Sequence, residues 1–166
     1  MILPDLLQPG LDLIVCGTAA GNKSARHEAY YAGSGNLFYQ TLARCNFTAK
    51  QLLPNEYPQL LQYKIGLTDL AKFKFGTDKE LTREDYDVQS FIDKIMLHKP
   101  RFICFNGKTA ASVVLGIQKT KELGYGLQNK KIGNTSIFIA PSTSPRAYAF
   151  WDESHWAQLK TLIKQQ

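Results

Sequence analysis

Asp69 is the first residue in this 166-residue chain whose setting asks for a chemical explanation. It stands among Leu67, Thr68 and Leu70, and a carboxylate in apolar surroundings ordinarily has a partner or a task. The tasks open to it are proton transfer, orientation of water and stabilisation of a developing cation. The plainer alternatives are a helix cap or an ion pair with Lys72. Glu28 is the second-choice carboxylate, whereas Asp12 alternates with an apolar run and reads as structural. The second feature is the segment of residues 16–39, CGTAAGNKSARHEAYYAGSGNLFY. Its small residues let backbone N–H groups approach a flat or anionic ligand, and its tyrosines offer faces for stacking a base. Gly17 and Gly21 are spaced too loosely for a dinucleotide fingerprint, and no Lys-Ser/Thr follows as in a P-loop. His27, His98 and His155 have no spacing that suggests a metal or a catalytic triad, and no Cys/His spacing suggests a metal site.

The elements that must position these groups alternate between strand and helix. Residues 11–15 form a continuous apolar run that predicts a central parallel strand. Residues 36–45 have helical spacing with Asn36 as N-cap. Residues 48–63 are helix-like but are broken by Pro54 and Pro58. Residues 65–70 form a short apolar segment carrying Asp69. Thr82 caps a predicted helix over residues 83–97, ended by His98, Lys99 and Pro100. Residues 101–106 predict a second buried strand, turning at Gly107 into a small-residue helix over 108–117. Gly133-Asn134 predicts a hairpin between residues 130–132 and 135–140. A loop over 141–145 and a terminal helix over 152–164 complete the chain. The pattern is that of one α/β domain over residues 1–166, a three-layer αβα arrangement with a mostly parallel central sheet. The loops 17–35, 106–109 and 141–146 then fall at the carboxyl ends of strands, where ligands bind in such sheets.

Composition narrows the class. Hydrophobic content is 44% and the net charge is +6. That charge favours a polyanionic partner, because Lys and Arg displace counterions from phosphates. No apolar stretch reaches the roughly 18–20 residues of a membrane span, and residues 1–10 lack a signal-peptide pattern. Three cysteines, Cys16, Cys45 and Cys104, are an odd count, and Cys16 and Cys104 lie in β-like runs. Buried thiols in a reducing cytoplasm are the expectation.

The density of features in residues 16–39 carries a resemblance. Ser24-Ala25, Tyr30-Tyr31-Ala32 and Asn36-x-Phe38-Tyr39, followed late in the chain by Ala140-Pro141-Ser142 and Ser144-Pro145-Arg146, resemble the mismatch-specific branch of the uracil-DNA glycosylase superfamily. The likeness runs from Leu6-Leu7-Gln8-Pro9-Gly10 to the last helix. It implies a uracil-DNA glycosylase-like fold, no cofactor, and a base pocket lined by Gly17, Thr18, Ala19 and Ala20. It further implies that Tyr31 stacks on a flipped uracil, that Asn36 contributes to the pocket or holds its loop, and that Ser24 touches the DNA backbone. Tyr30 reads better as a half-buried loop aromatic.

The chain departs from that family where its chemistry usually resides. The family's first motif is Gly-Ile-Asn-Pro-Gly, whose Asn positions the attacking water, and here it reads Gly17-Thr18-Ala19-Ala20-Gly21. The position before Pro-Ser, a His or Asn elsewhere in the superfamily, is Ala140. Asp69 is the candidate to take over, since loss of the base develops oxocarbenium character on the sugar. The loop Ser142-Thr143-Ser144-Pro145-Arg146 is expected to enter the minor groove or the gap left by the extruded base, with Arg146 as the plug. Lys23 and Lys108, each near a strand end, are candidate phosphate contacts. The expected activity is monofunctional removal of uracil from double-stranded DNA, leaving an abasic site. The expected protein is a monomer that uses neither metal nor membrane and is cytoplasmic, nucleoid-associated when bound to DNA. The alternative is a member that binds uracil or damaged DNA without turnover.

Overall fold

The computed structural model describes residues 1–165. Five strands form one sheet: β1 (Leu13–Ala19), β2 (Ile65–Ala71), β3 (Phe102–Asn106), β4 (Gly126–Ile132) and β5 (Thr135–Ala140). Their order is β2-β1-β3-β5-β4. The pairs β1–β2, β1–β3 and β3–β5 are parallel, and only the β4–β5 hairpin is antiparallel. The helices are α1 (Asn22–His27), α2 (Phe38–Arg44), α3 (Val88–His98), α4 (Lys108–Leu115) and α5 (Glu153–Lys164).

Alternation along the strands sorts the core into two layers. Leu13, Val15, Ile65, Leu67, Phe102, Cys104 and Phe138 meet Phe38 and Leu42 of α2 and Trp156, Leu159 and Ile163 of α5 on one face. Ile14, Cys16, Leu70, Ile103, Phe105, Ile137 and Ile139 meet Phe91 and Ile95 of α3 and Ala110 and Ala111 of α4 on the other. The result is the expected αβα sandwich. Strands buried on both faces are continuously apolar for this reason. All three cysteines are free and buried.

Several elements differ from the sequence expectation. β1 runs Leu13–Ala19, not residues 11–15, so Gly17, Thr18 and Ala19 are strand and not loop; the β2 ladder carries them as far as Ala19 opposite Ala71. Within the presumed loop after it, residues 22–27 close one and a half turns of α1, which Glu28 ends in a left-handed conformation. The predicted helix over 83–97 is two pieces. Asp85 accepts from Thr82 N and closes a short 3-10 turn over Arg83–Asp85. Tyr86 is extended, and the helix restarts at Val88 with Asp87 as its cap, accepting from Ser90 N. Asn36 is not the N-cap residue of α2, which is Leu37; its Oδ1 accepts from Phe38 N one position ahead of the helix. The stretch with two prolines is a 3-10 helix over Pro54–Tyr63.

The N-terminal segment lies along the free side of β2. Ile2 N donates to Lys72 O, and Leu6 and Leu67 exchange backbone hydrogen bonds in an antiparallel bridge. Gly66 permits this approach: a Cβ there would meet Leu6 O at 2.5 Å.

Candidate functional site

The site is assembled where β1 and β2 end. β1 pairs with β3 only as far as Cys16 opposite Phe105, so Gly17, Thr18 and Ala19 continue beside β2 alone. Their side toward β3 has no ladder partner there and is available to line a pocket. Gly17 is buried, and Asp69 is its register partner in β2. A Cβ on Gly17 would lie 2.9 Å from Asp69 Oδ1 and 3.3 Å from the Tyr31 hydroxyl. Glycine therefore leaves a gap into which a carboxylate and a phenol both project.

Asp69 is 5% exposed. No described residue donates a hydrogen bond to its carboxylate, and the neighbouring lysines are engaged elsewhere: Lys72 Nζ and Lys94 Nζ lie 2.8 and 2.7 Å from the two oxygens of Asp5. Burial is the main cause that pushes the Asp69 carboxyl up to about 6; Lys72 and Lys94 pull against it, and Asp5 adds to it. A carboxylate so placed can accept a proton near neutral pH. The ion pair with Lys72 that the sequence left open is thus made by Asp5 instead.

Tyr31 holds a left-handed backbone (φ 55°), and its ring packs on Phe38 at 4.2 Å between centroids. Its hydroxyl is buried and meets no described residue in full hydrogen-bond geometry, with the Asn106 side chain as its nearest polar influence besides Asp69. Burial, then the charge of Asp69, pushes its pKa well above the usual phenol value, with the Asn106 side chain pulling the other way. A buried hydroxyl without a partner costs roughly 1–3 kcal/mol, so it is a donor in want of an acceptor. Tyr30, expected half-buried, is 1% exposed. Its hydroxyl donates to Pro4 O and accepts from Lys72 Nζ, tying the N-terminal segment to the site.

The structure separates the remaining sequence candidates. Ser24 is buried, and its hydroxyl accepts from Ala32 N, so it braces the Tyr31 turn. Lys23 is exposed and donates to Ser34. Glu28 is exposed at the end of α1. Lys108 opens α4, its Nζ 4.4 Å from the Tyr125 ring centroid. In the late loop, Thr143 is buried while Pro145 and Arg146 are exposed. Ser142 accepts from Ser144 N, and Ser144 from Arg146 N, so the loop is shaped by its own hydroxyls. Ala140 is buried at the end of β5.

Three contributors were not singled out from sequence. Asn106 grips Thr143 at both ends of its amide, donating to Oγ1 and accepting from the backbone N, each at 3.0 Å; it fixes the late loop to the end of β3. Asp5 anchors the network just described and takes Lys72, which the sequence had offered to Asp69. The segment after β2 folds over the end of β1 through Gly76 N to Ala20 O and Thr18 Oγ1 to Asp78. It leaves Phe73 79% exposed on the rim. Among the described residues no group of His, Cys, Asp and Glu is arranged to hold a metal ion, and no helix is long and apolar enough to cross a membrane.

The same architecture occurs in a solution NMR structure from Methanosarcina acetivorans, described as a candidate uracil DNA glycosylase. The two superpose with a TM-score of 0.66 at 19% identity, over 98% of this chain and 96% of that one. At that identity the likeness is one of fold. The sequence itself matches the family model of the Uracil DNA glycosylase superfamily over residues 4–164. That span takes in the Asp5 segment, both strands of the pocket, the Asn106 clasp and the last helix. With the fold and nearly the whole sequence in agreement, this chain belongs to the uracil DNA glycosylase superfamily.

Proposed function

We propose that this protein is a monofunctional DNA glycosylase of the mismatch-specific branch, removing uracil from double-stranded DNA. The observation that carries the reading is the buried Asp69 carboxylate, without a hydrogen bond from any described residue, lying against Gly17 with the Tyr31 hydroxyl nearby. The base flips out of the duplex and enters between β1 and the Tyr31 turn, at an unstacking cost of a few kcal/mol. Tyr31 holds it, by ring stacking and by its free hydroxyl. The bond from the sugar carbon to the base nitrogen breaks with its electron pair leaving on the uracil anion. The ionised Asp69 stabilises the oxocarbenium so formed, then takes a proton from the water that bonds to the sugar carbon. The products are uracil and an abasic site. Arg146, Lys23 and Lys108 supply the DNA contacts, with Arg146 on the exposed loop as the plug.

A second reading is favoured by Ala19 and Ala140, which have no polar side chain where the resemblance to the superfamily leads one to expect it. It is a protein that binds uracil-containing or abasic DNA without turnover. Purified protein incubated with a U:G duplex separates the two. Alkali-labile sites that depend on Asp69 support the glycosylase. A stable complex that yields none supports the binding module and ends the catalytic reading.

A further inference from the structure

Among the described residues four aromatic rings are exposed to solvent, Phe73, Phe75, Tyr148 and Phe150, and all four lie on segments at one edge of the sheet. Phe73 and Phe75 belong to the segment that leaves β2. There Ile2 N donates to Lys72 O and Gly76 N to Ala20 O, so the backbone on both sides of the pair is fixed across the end of β1. Tyr148 and Phe150 belong to the 3-10 turn over Pro145–Phe150 that follows β5. The Tyr148 hydroxyl donates to Gly35 O, and just ahead of the turn Thr143 O accepts from Leu37 N, which ties this segment to the loop carrying Tyr31. In the order β2-β1-β3-β5-β4 the first pair leaves from the β2 side of the gap over Gly17 and the second from the β5 side. Three strand spacings separate those two strands, about 14 Å.

Single exposed apolar side chains are ordinary on a protein surface, but exposed rings confined to the rim of one site mark a binding surface. The cations beside them say what binds. Lys74 stands between Phe73 and Phe75 with its side chain half exposed, and its Nζ lies 3.2 Å from Asp85 Oδ2, a surface pair that a phosphate replaces at little cost. Arg146 stands two residues before Tyr148 and makes no ion pair among the described residues. Lys23 is brought to the same loop by its bond to Ser34. The carboxylates of the segment after β2 are held on local donors: Asp78 accepts from Thr18, Glu80 from Thr77 N and Asp85 from Thr82 N. Rings interleaved with cations take bases on the rings and phosphates on the cations. We propose that the two pairs of rings are stacking platforms for the bases on either side of the flipped nucleotide, so that the lesion strand is held at the pocket mouth as an unpaired single strand. The inference rests on the gap over Gly17 being the base pocket. It follows that the protein binds single-stranded DNA even where that strand contains no uracil.

The test titrates a fluorescent, uracil-free single strand of about 16 nucleotides, the upper site size for such platforms, and reads anisotropy. Wild-type protein binds it, and Phe73→Ala and Phe150→Ala each bind about tenfold more weakly, the scale of one lost base stack. In both variants the slope of log affinity against log salt stays at its wild-type value, because no phosphate contact is lost. Phe73→Trp keeps the wild-type affinity, since a ring face is all that the base requires. Leu97→Ala is the control: it trims an equally exposed apolar side chain at the end of α3 that leads into β3, at the opposite edge of the sheet, and changes nothing. All of these side chains are exposed, so the variants fold as the wild type does, and melting curves confirm it. Failure of the wild-type protein to bind the single strand, or wild-type affinity in either alanine variant, overturns the proposal. An altered oligomeric state of the alanine variants on a sizing column, with DNA affinity unmoved, overturns it as well and assigns the rings to a second copy of the chain. The glycosylase reading falls separately, on absence of excision from a U:G duplex, whereas the uracil-free strand tests the platforms in either case.

Discussion

Gly17 and Asp69 are register partners across β1 and β2, and the Cβ that glycine lacks would lie 2.9 Å from Asp69 Oδ1. The absence of a side chain on one strand is what gives the carboxylate on the other its room. Gly17 has no left-handed backbone, so alanine is tolerated by the chain there and offends only through space. Gly17→Ala is expected to fold and to lose about 100-fold in excision rate, the scale of a displaced catalytic group. Circular dichroism together with a U:G nicking assay checks this; a fully active Gly17→Ala protein would show that the placement of Asp69 against Gly17 does not matter to the reaction.

Asp69 also links catalysis to stability. Its ordinary carboxyl value of 3.8 is raised to about 6 by burial, so the folded protein binds the proton more tightly than the unfolded chain. The penalty for its charge is absent below pH 4, grows as pH rises through about 6, and is constant above. Asp69→Asn removes it, and at neutral pH the variant should be more stable by on the order of 2 kcal/mol. That is about 5 °C in melting temperature for a chain of this size. Below pH 4 the two proteins should melt together. Equal melting curves at every pH would contradict the buried, unpaired charge.

The pH dependence of excision has the opposite sense. Asp69 acts only when ionised, so kcat/KM for the wild-type protein should rise with pH to a plateau, with its midpoint near about 6. Single-turnover rates across pH 4.5–8, an interval of about three units around that midpoint, trace the limb. Asp69→Asn should be slower by 100-fold or more and should lack the limb altogether.

Tyr31→Phe keeps the ring on Phe38 and removes only the hydroxyl that lacks a partner. Deleting an unsatisfied buried group is neutral or stabilising by up to about 1 kcal/mol. Binding of uracil-containing DNA should nonetheless weaken about tenfold, because the hydroxyl is reserved for the base. Thermal melts and fluorescence anisotropy on one preparation separate the two effects. Unchanged affinity would reduce Tyr31 to its ring.

Arg146 is exposed and carries no ion pair among the described residues. Arg146→Ala should leave the melting temperature unchanged and make the plot of log affinity against log salt shallower by about 1, the signature of one lost phosphate contact. If the slope is unaltered while affinity drops, the side chain fills space in the duplex and neutralises no phosphate.

How much of this was legible beforehand follows the range of each interaction. The apolar strands, the β4–β5 turn at Gly133-Asn134 and the alternation of strand with helix are local signals, and they gave the αβα layers. Asp69 stood out because its own neighbours are apolar. The split at Thr82–Tyr86 was hidden because Asp85, which closes the turn with Thr82, also suits the first turn of a longer helix. α1 was missed because its six residues carry no apolar stripe. Asp5 was invisible for a different reason: its partners Thr68, Lys72 and Lys94 are brought to it only by the fold. The clasp of Asn106 on Thr143 is likewise a product of β3 and β5 being neighbours.

The strap formed by the first six residues has one further consequence. β2 is the outermost strand on its side of the sheet, and apart from Leu6 its outer row of amides and carbonyls has no strand to pair with among the described residues. An apolar edge of that kind is a template for a second chain. A protein shortened by those residues would present the Asp69 strand to its own copies, and self-association on a sizing column should accompany the loss of activity.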